Sequence, residues 1–212
     1  MNAEVQLSEG LAGLGLTLSS EAQTRLLQYL ALLSKWNRIY NLTAIRETSR
    51  LVSHHLLDSL AVLPHIEGTW IVDVGSGAGL PGIPLAVARP EWNVVLVDSN
   101  HKKGAFLRQA VLELGLQGTQ VVTDRAEQWR PVRLFDVVIS RAFSDLPGFV
   151  ETARHLCLPG AMLAAMKGVH PDEELAQLGS DTRVRKVVAL HVPGLRAARH
   201  LVLLEPLRAA EA

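Results

Sequence analysis

The spacing of apolar positions changes near residue 70, and that change divides the chain. Upstream, Leu26, Leu27, Leu30 and Leu33 recur at helical spacing. Ser20 and Gln23 are spaced as a capping box that would start this helix. A second amphipathic segment runs from about Thr48 to Leu63 and ends at Pro64. Between them, Lys35-Trp36-Asn37-Arg38-Ile39-Tyr40-Asn41-Leu42-Thr43 reads as a polar-aromatic connection with no clear period. Downstream, short apolar runs alternate with helical ones. Strands are expected at Ile71–Val74, Val94–Asp98, Gln120–Val122, Phe135–Ser140, Ala161–Lys167, Val184–His191 and Arg199–Glu205. A helix at Lys102–Leu114 carries Phe106, Leu107, Ala110, Val111 and Leu114 on one side. Alternating strands and helices imply a parallel sheet with right-handed crossovers. The last two strands have too short a link for a crossover and are expected to form an antiparallel hairpin. The division predicted is a helical N-terminal cap, 1–68, on a Rossmann-like α/β domain, 69–212, together one compact unit.

The most specific stretch is Ile71-Val72-Asp73-Val74-Gly75-Ser76-Gly77-Ala78-Gly79-Leu80-Pro81-Gly82. It reads as a buried strand, a glycine turn, and a helix that Pro81 starts without losing a needed donor. Glycines at Gly75, Gly77 and Gly79 allow positive φ and let a ligand lie against the backbone. A dinucleotide turn presents a helix N-terminus to phosphate. A carboxylate at Asp73 instead suits a cofactor bearing a cationic centre or an amine, which points to S-adenosylmethionine. Gly77, Gly79 and Gly82 also satisfy G-x-G-x-x-G with Asp98 downstream, as a nicotinamide site would. Two features count against that reading. These glycines begin three residues after the strand, and no second mononucleotide half follows the fifth strand.

Open α/β sheets bind ligands beyond the C-terminal ends of their strands. Asp98, at the second strand end, is placed to accept hydrogen bonds from both ribose hydroxyls. Thr123-Asp124-Arg125-Ala126-Glu127 borders the adenine position, and Ser140-Arg141-Ala142-Phe143 ends the fourth strand at the mouth where donor meets acceptor.

Composition narrows the class. Apolar residues make up 48% of the 212, enough for a sizeable core. No apolar run approaches the roughly 20 residues of a membrane helix, and the N-terminus, with Glu4 and Glu9, has no basic signal-peptide segment. One cysteine excludes an internal disulfide and supplies no zinc cluster. A cytoplasmic location, no metal and a monomer are the corresponding expectations. The 21 basic and 21 acidic residues balance, unlike a typical nucleic-acid binder. Arg183, Arg185, Lys186, Arg196, Arg199 and Arg208 nevertheless outnumber nearby acids, and meet phosphates if folding gathers them on one face.

The chain resembles the bacterial 16S ribosomal RNA small-subunit methyltransferase G family, once named for glucose-inhibited division protein B. The resemblance rests on Lys35-Trp36-Asn37, Tyr40-Asn41-Leu42-Thr43, His55 with Asp58-Ser59, Asp73 through Pro84, Asp98-Ser99, Phe106-Leu107, Ser140-Arg141-Ala142, Lys167-Gly168 and Arg199-His200. It implies a class I S-adenosylmethionine-dependent methyltransferase fold: a seven-stranded, mostly parallel sheet with an antiparallel last strand. It implies methyl transfer to N7 of a guanine in the 530 loop of 16S rRNA, in the free RNA or the small ribosomal subunit. It also implies cofactor contacts at Gly75, Leu80, Ala126, Glu127 and Arg141; Asp98 is added from the ribose argument, and Asp124 does not match the family pattern.

Guanine N7 has a lone pair and no proton to lose, so no general base is required. Arg141 orients the guanine through O6, holds the cofactor carboxylate, or forms a structural ion pair. Lys167 ends the fifth strand and contacts RNA phosphate or guanine, or is a plain surface lysine. Arg199 and His200 are candidate RNA contacts. His55 and Asp58, on one helical face, are read as a local hydrogen-bonded pair, and Asn37, Tyr40 and Asn41 as lining the RNA entrance or, by preference, locking the cap to the sheet. Cys157 and the four tryptophans are read as packing groups. Two rival functions are methylation of a small molecule or protein and non-catalytic binding of S-adenosylmethionine by a regulator.

Overall fold

A computed structural model describes residues 2–141 and 143–207. Ala142 and Arg208, singled out above, lie outside the described residues. In chain order the elements are α1 (Ala3–Gly13), α2 (Ser20–Tyr40), α3 (Thr48–Leu51), a π-helical segment (Val52–Leu57), α4 (Asp58–Leu60), a 3-10 turn (Leu63–His65), β1 (Trp70–Val74), α5 (Gly82–Ala88), β2 (Asn93–Val97), α6 (His101–Glu113), β3 (Thr119–Val122), β4 (Phe135–Ser140), α7 (Leu146–Ala153), a second 3-10 turn (Arg154–Leu156), β5 (Cys157–Lys167), α8 (Asp172–Ala176), β6 (Thr182–Ala189) and β7 (His200–Pro206).

The seven strands form one sheet in the order β3-β2-β1-β4-β5-β7-β6. β1 pairs in parallel with β2 and β4, β2 with β3, and β4 with β5. β7 is antiparallel to both β5 and β6, so the expected hairpin is present and its second strand is inserted between β5 and β6. The order reverses between β1 and β4, which opens a crevice at their C-terminal ends.

Side chains alternate across the sheet, as strand geometry requires. Ile71, Val94, Leu96, Val137 and Ile139 face one core, and Val72, Val74, Val95, Val97 and Val138 face the other. The first core also contains Leu7, Leu11, Leu26, Leu30, Leu33, Leu56 and Leu60. The N-terminal helices therefore cover one sheet face, and the core runs without a break across position 68.

The helical region differs from expectation in three places. Ser19, one residue earlier than expected, caps α2: its Oγ accepts from Ala22 N at 3.1 Å, while Gln23 Nε2 donates to Leu18 O at 3.1 Å. The capping box is not formed. α2 continues through Trp36 and Asn37 to Tyr40, because Trp36 packs on Phe106 at 5.6 Å and supplies an apolar anchor beyond the leucine run. The second amphipathic segment breaks into α3, the π segment and α4, with Pro64 inside the following 3-10 turn. No helix among the described residues is long and apolar enough to cross a membrane.

Candidate active site

The glycine turn follows β1 directly. Gly75, Gly77 and Gly79 have φ of 71°, 58° and 86°, a region closed to most side chains. At Gly79 a Cβ would also overlap Ile83, so this residue must be glycine on two counts. The turn is tied back to β2: Gly75 N and Ser76 N donate to Val97 O at 2.8 and 3.0 Å. Ser76 Oγ donates to Asp73 O at 2.7 Å.

Asp98, just past β2, is buried and oriented. Its Oδ2 accepts from Gly77 N and its Oδ1 from Asn100 N, each at 2.9 Å, with Lys103 Nζ at 3.7 Å. Each carboxylate oxygen keeps a lone pair beyond those backbone bonds. Two adjacent hydroxyls can be received without moving the side chain.

A cleft of about 390 Å³ opens at the sheet's C-terminal edge, lined by Gly75, Asp98, Lys103, Asp124, Ala126, Glu127 and Phe143 among others. Four of the expected cofactor residues, Gly75, Asp98, Ala126 and Glu127, thus meet on one wall. Arg141 does not line it, and neither do Gly77, Gly79 and Leu80. They shape the turn, and Leu80 is buried in the core. Asp124, set aside above, stands on the wall; its place at the end of β3 was the available signal.

Asp73 corrects the sequence reading. It is fully buried and lies beneath the turn, away from the cleft wall. Oδ2 accepts from Gly82 N at 2.8 Å, and Oδ1 has no hydrogen-bond partner. Burial is the main cause that pushes its pKa up to about 7. Gly82 has no Cβ because one would overlap Leu96 and lie 2.8 Å from Asp73 Oδ2.

The helical cap enters the site from the same side. Tyr29, fully buried in α2, donates its hydroxyl to Ala78 O at 2.6 Å. Asn37 exchanges two hydrogen bonds with Thr43 (2.9 and 3.0 Å), and Thr43 Oγ1 lies 3.0 Å from His55 Nε2. Asn37 thus locks the loop after α2 within the cap, rather than the cap onto the sheet as expected. Tyr40 stacks on Trp36 at 5.3 Å, and Asn41 takes the left-handed conformation and accepts from Arg46. Burial and the Arg141 charge lower the pKa of His55 to about 4.

His55 and Asp58 do not bond to each other, contrary to the local pair expected. Asp58 Oδ2 accepts from Arg141 Nη1 at 3.0 Å, and Oδ1 from Arg199 Nε at 2.9 Å. A buried acid with no cation within a helical turn needs partners from elsewhere in the chain. That was the signal in the sequence. The π segment helps set the geometry. Asp58 N–H bonds to the carbonyls of Ser53 and His55, passing over that of His54, which accepts from Arg141 Nη1 at 3.1 Å. Such wide turns are frequent at functional sites.

Lys167 has partners that neither of its readings foresaw. Its Nζ lies 2.8 Å from Glu174 Oε1 and donates to Ser144 O at 2.8 Å, while Glu174 Oε2 accepts from Leu146 N at 2.8 Å. The pair pins the segment that follows β4. Ser140 Oγ donates to Val74 O at 2.7 Å, which joins the ends of β4 and β1 where that segment begins. His200 Nδ1 lies 3.0 Å from Gly168 O. The C-terminal basic cluster is divided: Arg183 and Arg185 both pair with Glu205, whereas Arg199 turns to Asp58. Cys157 is buried, which pushes its thiol up to about 12, and Trp92 is buried while Trp129 packs on Phe135.

Comparison with known proteins agrees with this geometry. Among solved structures, the fold resembles a SAM-dependent methyltransferase from Aquifex aeolicus (TM-score 0.56, 21% identity, covering 81% of this chain and 97% of that one). It also resembles the O-methyltransferase TomG from Streptomyces achromogenes (TM-score 0.57, 18% identity, 98% and 100%). In sequence, the chain is 57% identical over 204 residues to the ribosomal RNA small subunit methyltransferase G of Laribacter hongkongensis, covering 96% of this chain and 99% of the relative. It is 58% identical over 212 residues to the protein of that name from Nitrosospira multiformis, covering 97% and 98%. The family model for rRNA small subunit methyltransferase G matches residues 22–202, a span that takes in Tyr29, the glycine turn, Asp58 and both of its arginines. With its cleft, its turn and most of its cap inside that match, the chain belongs to the rRNA small subunit methyltransferase G family.

Proposed function

We propose that this chain transfers a methyl group from S-adenosylmethionine to N7 of a guanine in the 530 loop of 16S rRNA, acting in the cytoplasm as a monomer whose residues 1–68 cap the catalytic unit 69–212. The observation that carries the reading is the cleft wall, where a preset buried carboxylate (Asp98) stands beside a glycine turn (Gly75) and a strand-end segment (Ala126, Glu127). The donor supplies an electrophilic methyl: the N7 lone pair forms the new N–C bond, the C–S pair stays on sulfur, and S-adenosylhomocysteine leaves.

The chain's own residues supply position. Asp98 accepts the two ribose hydroxyls, Gly75 lets the donor lie against the backbone, and Ala126 with Glu127 borders the adenine. Arg141 directs its free N–H edge to guanine O6 or to the donor's carboxylate. A donor bond to N7 itself would block the attacking pair, so O6 is the acceptor on the base. No side chain has to remove a proton, and alignment supplies the acceleration. Lys167, Arg199 and His200 stand on the acceptor side.

Unmodified small ribosomal subunits and their RNA, incubated with radiolabelled donor and followed by mapping of methylguanosine, test the proposal. Label at one N7-methylguanosine of the 530 loop is expected. Label confined to protein or to low-mass acceptors overturns it, and donor binding without turnover on any ribosomal substrate points to the regulator.

A further inference from the structure

Asp58 is 1% exposed, yet it faces two cations from distant parts of the chain. Arg141 follows β4, and Arg199 precedes β7. Each guanidinium is gripped along part of its edge. Arg141 uses Nη1 for Asp58 Oδ2 and the His54 carbonyl. Arg199 uses Nε for Asp58 Oδ1 and Nη1 for the Ala198 carbonyl, at 2.9 Å each. Among the described residues, Nη2 of either arginine has no hydrogen-bond partner, and the side chains are 26% and 25% exposed.

A desolvated carboxylate is a poor way to gain stability, since an apolar replacement of similar shape often does as well. One anion between two arginines also leaves the group with a net positive charge. What this arrangement achieves is orientation. Two long, flexible cations are held at a fixed separation, each with its Nη2 left for a further acceptor.

We infer that Asp58 is a positioning residue that sets Arg141, at the reaction mouth, and Arg199, on the RNA side, relative to each other. The inference rests on the roles given to these arginines under the proposed function. A single carboxylate then registers donor and acceptor sides of the transfer. Displacements of about 1 Å in such a reaction can reduce the rate about a hundredfold.

The test compares wild type, Asp58→Asn, Arg199→Gln and the double variant in methyl transfer to small subunits. kcat and both KM values are measured per folded molecule, the folded fraction being counted by circular dichroism. Asparagine keeps the shape but offers one acceptor oxygen in place of two, so one arginine is released. kcat is expected to fall at least tenfold, and the acceptor KM to rise. Because Asp58 acts through both arginines, the loss in the double variant is expected to fall short of the sum of the single losses. Unchanged kcat and KM per folded molecule, or fully additive losses, overturn the inference. Should Asp58→Asn fail to fold, Asp58→Glu replaces it: the charge and both acceptor oxygens are kept but the carboxylate is shifted by one methylene. A positioning role then predicts the same tenfold loss, and unchanged kinetics refute it. If wild type itself leaves RNA unlabelled, the functional reading fails; if wild type works and the Asp58 variants match it, only this inference does.

Discussion

The hydroxyl of Tyr29 donates to the carbonyl oxygen of Ala78 across 2.6 Å, joining the second helix of the cap to the middle of the glycine turn. Neither group reaches solvent, and burial raises the phenol's pKa, so the hydroxyl remains a donor throughout the neutral range. Tyr29→Phe keeps the ring against Phe106 but leaves the Ala78 carbonyl unpaired. A loss of about 1–3 kcal/mol in urea unfolding is expected. Because the lost bond anchors the turn, calorimetric titration with S-adenosylhomocysteine is expected to show affinity reduced about fivefold, with RNA affinity unchanged.

Asp73 and His55 give stability opposite dependences on pH. Asp73 is raised from 3.8 to about 7, so the folded chain holds a proton that the unfolded chain releases; this contribution is lost as pH rises between those values. His55 is lowered from 6.5 to about 4, so unfolding takes up a proton and its contribution grows over nearly the same interval. The two largely offset each other. Asp73→Asn is expected to make stability rise more steeply with pH than in wild type, and His55→Gln to make it fall, each by up to about 1.4 kcal/mol per pH unit. Urea titrations at several pH values between 4 and 6.5 check both signs.

Glu174 holds Lys167 with one oxygen and the Leu146 amide with the other, across the segment that follows β4. Glu174→Ala releases both. Hydrogen exchange at the Leu146 amide is expected to quicken, and methyl transfer to slow about tenfold through kcat. A slow amide in the variant would mean that the segment is held by other contacts.

Glycine positions in this fold separate steric from conformational demands. Gly79→Ala meets both a positive φ and the Ile83 side chain, and is expected to cost about 2–4 kcal/mol. Gly115→Ala, at φ 62° with nothing within 4 Å of the new carbon, is expected to cost about 1–2 kcal/mol. Chemical unfolding of the two variants side by side checks the difference.

Local pattern made much of this molecule legible. All seven strands were placed within a few residues; the largest error was β5, which begins at Cys157 because it pairs with Phe135 before a register shift at Val137. Short apolar runs were sufficient for the inner strands β1, β2 and β4, which are buried on both faces, whereas the edge strand β6 is largely exposed. The helical cap was less legible. Its π segment depends on a carbonyl taken by Arg141, 87 residues away, and no local period encodes that.

The chain's order of residues alone determined the periodicities, the glycine turn with Asp98 beyond it, and the family resemblance, because these are carried by residue types and their spacing along the chain. Tertiary structure decided what the charges do. Asp73 was drawn beneath the turn, Lys167 onto Glu174, and Arg141 with Arg199 onto one buried carboxylate. A buried ionisable group takes whatever donor or opposite charge folding brings within about 3 Å, and for Asp58 that distance is set by crossovers of the sheet rather than by spacing along the chain.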